Sequence, residues 1–170
     1  MSGKVIGKSL NHGFAGQFAR TPDMIIVTRA AEGEIKFGDV VIAGTTGMQV
    51  KKADNTTTAT NVIGIAGAEV KSAYNYFEQS EGMYADKEAV AVLERGSISA
   101  LCKNGTPEIN GKVYIAKTTS AFSGAEVGDL AAQVSGTANT DYVELTNCKW
   151  GGEKDANGVA ELVFLNRVNV

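Results

Sequence analysis

Gly13-Phe14-Ala15-Gly16-Gln17-Phe18-Ala19-Arg20-Thr21-Pro22-Asp23-Met24-Ile25-Ile26-Val27-Thr28-Arg29 joins a polar, glycine-spaced leader to an apolar strand. Before Asp23 the large apolar residues are few, namely Val5, Ile6, Leu10, Phe14 and Phe18, and glycines interrupt any helical period. Residues 1–23 therefore read as an N-terminal arm. Met24 to Arg29 is rich in β-branched residues and is the first expected strand, turned by Glu32-Gly33-Glu34.

The pattern continues outward from that strand. Val40 to Ala43 and Gln49 to Lys52, separated by Thr45-Thr46-Gly47, predict a hairpin, and the polar run Ala53 to Thr58 predicts a surface loop. Val62 to Val70 holds two glycines in an apolar run, which predicts a buried strand that is bulged or closely approached by another backbone. Ala89 to Glu94 and Ser97 to Leu101 are expected strands around Arg95-Gly96, covered on both faces. Asn110-Gly111 predicts a hairpin turn before Val113 to Ala116. Leu130, Ala131 and Ala132 give Val127 to Val134 the propensity for one short helix. Tyr142 to Leu145, a turn region from Gly151 to Gly158, and the apolar run Val159 to Val168 complete the chain. Gly38 to Thr46 recurs in shape as Gly111 to Thr119, a turn, a strand and paired threonines, which is also the ordinary grammar of hairpins.

These elements predict a mainly β fold: a compact β-barrel or β-sandwich-like domain over residues 24–170, with the extended arm before it and one short helix. At 170 residues roughly 70% of the unfolded chain's surface can be buried. Twenty glycines against two prolines, scattered between apolar runs, suit turns between many short strands.

Sixteen basic and 19 acidic side chains give a net charge of −3, and so no basic field for phosphates. Nucleic acid is accordingly not an expected partner. The apolar runs fall short of the roughly 18–20 residues of a membrane span, and no apolar signal core follows the amino terminus. The expectation is a soluble protein made in the cytoplasm. Cys102 and Cys148 lack any CxxC spacing, and with a single histidine, His12, they predict small side chains on strands and neither a metal site nor a cofactor.

Catalysis is not expected either. No nucleophile elbow, zinc helix, phosphate loop or dinucleotide fingerprint is present. Glu32 with Glu34 and Glu78 with Glu81 are paired carboxylates by type, but both pairs fall in turn-like segments where acids are solvated. Tyr74, Tyr76, Phe77 and Tyr84 crowd one polar segment and have two readings: a loop plugging one end of the core, or an interface patch. Arg20, Arg29, Arg95 and Arg167 read as contact residues or as guards of strand edges, with Arg20, which closes the arm, favoured for contact.

Four pieces, in their order and spacing, carry a family likeness: Gly13 to Arg29, Phe37-Gly38-Asp39-Val40-Val41, Val62-Ile63-Gly64-Ile65-Ala66, and Tyr84 to Ile98. Together they resemble the head decoration, or structural cement, proteins of tailed bacteriophages. The resemblance implies a virion protein on the outer surface of the expanded head, bound to the major capsid protein, and self-associated as a homotrimer at three-fold or quasi-three-fold positions. It would tie neighbouring subunits together. In that setting His12, Gly13, Phe14, Gly16, Gln17, Phe18 and Arg20 are the expected capsid-binding residues of the arm, added as a strand to an open sheet edge of the shell. Phe14 and Phe18 also suit the protein's own core or a neighbouring subunit. A receptor- or carbohydrate-binding module of a phage head or tail fibre, stacking sugars on Tyr74 to Tyr84, is the competing reading.

Overall fold

The computed structural model describes residues 11–69 and 82–166. Among these residues twelve strands occur in chain order: β1 (Phe18–Ala31), β2 (Ile35–Lys36), β3 (Val40–Ala43), β4 (Gln49–Lys52), β5 (Val62–Ala66), β6 (Met83–Tyr84), β7 (Ala89–Asn104), β8 (Tyr114–Ala116), β9 (Leu130–Ala131), β10 (Tyr142–Glu144), β11 (Cys148–Trp150) and β12 (Val159–Phe164). The fold is mainly β, as the strand pattern predicts.

β3 and β4 form the expected hairpin with the expected bounds. Their neighbours close a circuit: β1 pairs β4, β4 pairs β3, β3 pairs β5, β5 pairs β7, and β7 pairs β1. Five strands thus make a small barrel. Each contributes to one apolar cluster that includes Ala31, Val50, Val41, Ala66, Val90 and Val92. β5 can lie against β7 because Gly64 has no side chain, since a Cβ there would collide with the Leu93 carbonyl oxygen. That is the close backbone approach its glycine predicts.

β7 departs from expectation in an informative way. The two strands predicted around Arg95-Gly96 are one continuous strand, bent at Gly96, whose φ is 116°. Before the bend, even-numbered Val90 and Val92 join the barrel cluster while Leu93 joins a second cluster; after it, even-numbered Ile98, Ala100 and Cys102 join that second cluster. A bulge of one residue shifts the side-chain alternation, and one strand serves both cores. Both faces are covered, as expected.

The far half of β7 carries the rest of the chain. β12 pairs it antiparallel from Val159↔Leu101 to Phe164↔Gly96, β11 pairs β12, and β9 runs parallel to it from Cys102 and leads to β8 and β10. Trp150, Leu162 and Phe164 fill the second core, which also holds Cys102 and Cys148 as free, buried thiols. The short helix expected over Val127–Val134 is absent: Leu130 and Ala131 pair with Cys102 and Asn104, so sheet pairing overrides a local preference too short to stand alone. Asn110-Gly111 does turn, with φ of 62° at Asn110, but it joins no paired strands, since β8 pairs β9 and β10.

Candidate docking surface

The leader is where the sequence places the contact residues, and its described part is bound to the chain's own fold. β1 begins at Phe18, well before Met24. Gly16 N–H donates to Ser99 O and Ser99 N–H to Gln17 O, both at 2.8 Å, so the leader continues β1 along β7. Gly16 O in turn accepts from Ala68 N–H. Gly16 has a φ of 87°, and a Cβ on it would stand 2.8 Å from Gly38 N, so here glycine serves a close approach within the chain.

His12 is held at three points. Its N–H donates to Asp155 Oδ2 at 2.9 Å, its carbonyl accepts from Ser99 Oγ at 2.8 Å, and its Nε2 lies 3.1 Å from Glu153 O. Arg20 then forks onto Glu161, Nε to Oε1 at 2.6 Å and Nη2 to Oε2 at 3.0 Å. The Arg20 hydrogen bonds outweigh burial and hold the Glu161 carboxyl below its ordinary range. Phe18 packs against the second core. Gly13, with a φ of 89°, sits against the Gln17 side chain.

The described end of the expected arm therefore lies on the chain's own fold. The backbone groups of Gly16 and Gln17 that were to pair with a shell protein already pair with Ser99 and Ala68, because a long β7 offers them an open edge. Of the seven expected arm residues, Phe14 alone is both large, apolar and exposed, at 60%. Residues 1–10 lie outside the described residues. Asp155 and Glu161, which fasten the leader, were missed by sequence reasoning; a lone acid inside the apolar run Val159 to Val168 was the available signal for Glu161.

Of the aromatic segment's two readings, Tyr84 takes the first, the plug of a core. Tyr84 is buried, its hydroxyl donating to Gly67 O at 2.5 Å and its ring meeting Phe37 edge-on at 5.1 Å, and desolvation pushes its phenol up to about 12. It belongs to the barrel core and presents no surface. Tyr74, Tyr76 and Phe77 lie outside the described residues, as do Glu78, Glu81 and Arg167. Glu32 accepts from Thr45 N and Oγ1 at 2.6 and 2.7 Å and so pins the β3–β4 turn. Arg29 reaches the buried Glu94 at 3.0 Å, and Arg95 reaches Asp23 at 3.2 Å on the surface.

A cleft of about 220 Å³ lies between the barrel and the far half of β7, with Lys36, Lys52 and Lys103 facing Asp39, Glu126 and Asp129. Its charges balance. Among the described residues no cluster of His, Cys, Asp or Glu could hold a metal ion, and no helix is long and apolar enough to cross a membrane.

Residues 3–165 match the family described as structural cement protein (E217 gp24/Pam3 gp6), and the chain belongs to that family. It is thus a capsid-associated structural protein of a phage. No curated protein matches it. Among solved structures it is similar to a chain from the capsid of Myoviridae phage XM1, at 17% identity and a TM-score of 0.69, over 99% of this chain and 100% of the other.

Proposed function

We propose that the protein binds the outer surface of the expanded phage head, spans neighbouring copies of the major capsid protein, and holds the shell against the pressure of packaged DNA. The family match along nearly the whole chain carries this reading. A ligand that binds the assembled shell and not its separated subunits stabilises the shell by mass action. The pinned leader supports it too, since Phe14 stands exposed on a backbone that loses little freedom on docking.

The reading includes no catalytic step, and it takes the protein as a homotrimer on the strength of the resemblance. Several weak contacts on one oligomer then act as one strong attachment. The test is cosedimentation of the purified protein with expanded and unexpanded shells that lack it. Saturable binding to expanded shells is expected; binding to neither overturns the proposal. Analytical ultracentrifugation reads the oligomer, and a monomer at working concentration removes the trimer.

A further inference from the structure

Successive residues of β1 turn their backbone groups to opposite edges. Opposite Thr28, Ala91 gives its carbonyl to Gly67 on the β5 side, so Val27 and Arg29 bond β7 while Ile26, Thr28 and Ala30 face away from it. Ala30 N–H accordingly reaches Met48 O at 3.1 Å, and Glu32 N–H reaches Val50 O at 2.7 Å. There the ladder to β4 ends: it covers Ala30 and Ala31. Among the described residues the outward backbone groups of Ile26 and Thr28 have no partner.

Bare edges are normally blunted by charge, proline or a bulge. The irregular pairing between Arg20 and Ile25 guards the earlier part of β1. Ile26 and Thr28 have neither charge nor ring. Ile26 is 36% exposed, and Met48, 80% exposed, stands where β4 begins. The turn that carries Met48 is held in place, because Glu32 pins Thr45, Thr46 Oγ1 bonds Gln49 Oε1 at 2.9 Å, and Arg29 Nη1 bonds Gly47 O at 3.3 Å. An open ladder with an exposed apolar side chain at Ile26 is arranged for a strand.

We propose that this edge of β1 accepts an extended segment of the major shell protein, which pairs with Ile26 and Thr28 and sets an apolar side chain against Ile26. The proposal rests on the cement reading and reverses the direction of strand addition: the decorating protein supplies the sheet edge. Size selects the occupant. A strand of about six residues buries on the order of several hundred Å², well below the roughly 1,200 Å² of stable pairs in solution. A second copy would not stay there, but an array of shell subunits on an oligomer multiplies the same contact.

Hydrogen exchange on the intact protein, free and bound to expanded heads, tests it. The Ile26 and Thr28 amides should exchange quickly in the free protein and at least a hundredfold more slowly on heads. Unchanged exchange on heads overturns the proposal, and so does concentration-dependent protection in the free protein, which assigns the edge to a second copy. Thr28→Pro blocks this edge while removing an N–H that bonds nothing among the described residues. It should keep its melting temperature within a few degrees and bind heads at least tenfold more weakly; undiminished binding also overturns the proposal. If the variant misfolds, exchange in the unaltered protein decides. Failure of the unaltered protein to bind any head is a different result, and it removes the cement reading itself.

Discussion

Two stretches of β1 lie on the same partner strand and are left in opposite conditions. Phe18 to Arg20 pairs with β7 around Ile98 and Ser97, and its arginine is forked onto Glu161, so backbone and side chain are both engaged. Ile25 to Thr28 also pairs with β7, yet among the described residues its second edge has no partner until β4 arrives at Ala30. The glycine-rich segment that looks like a free arm is fastened. The apolar segment that looks like plain core leaves outward backbone groups without a partner among the described residues. Which edge a strand leaves open depends on its distant partners, and residue composition alone does not report it.

Gly96 separates the two stretches, and replacing it gives the largest expected effect. A Cβ there would stand 2.7 Å from Met24 Cβ and 2.8 Å from Asp23 O at a φ of 116°, so Gly96→Ala should cost roughly 3 kcal/mol, read by urea unfolding. A cost below about 1 kcal/mol would mean that the two stretches move independently of the bend.

The two arginines of β1 come next. Arg29 neutralises Glu94, which is 3% exposed, so Arg29→Ala should destabilise by about 2 kcal/mol, while Arg20→Ala should mainly speed hydrogen exchange in residues 12–18. Equal losses of stability would erase the contrast between the stretches.

Acid gives a smaller effect on the fastened stretch. Glu161 titrates below its ordinary 4.5 in the folded protein, so its contribution is complete above that value and is lost as the pH falls through the lower folded value. The melting temperature of the native protein should therefore drop more steeply below pH 4.5 than that of Glu161→Gln. Identical profiles would show that the fork contributes nothing. Smallest of all, Phe14→Ala should change stability by less than about 0.5 kcal/mol because the ring is solvated, while weakening head binding if the leader touches the shell.

Elements fixed by neighbours in sequence were legible. Val40 to Ala43 and Gln49 to Lys52 carry alternation and a turn, and Gly64 announces its close approach by being a glycine in an apolar run. What depends on distant partners was not. The leader is held by Ser99 and Asp155, and His12 lies 87 and 143 positions from them. No local pattern in residues 12–20 encodes that pairing. Leu130 and Ala131 likewise take their strand from Cys102 and Asn104, against their own helical preference. Gly96 was read as a break because a turn and a bulge both need a left-handed glycine, and only the next strand's register separates them. Tyr84 was ambiguous for a related reason: a tyrosine suits an interface or a core, and the Gly67 carbonyl that satisfies its hydroxyl is not adjacent in sequence.

On the proposed function, this protein strengthens an assembled head. Heads lacking it should be expanded, divided, and heated with and without the purified protein while DNA release is followed by dye fluorescence. A rise of several degrees in the release temperature that saturates with added protein is expected. Identical release temperatures at full occupancy would contradict it.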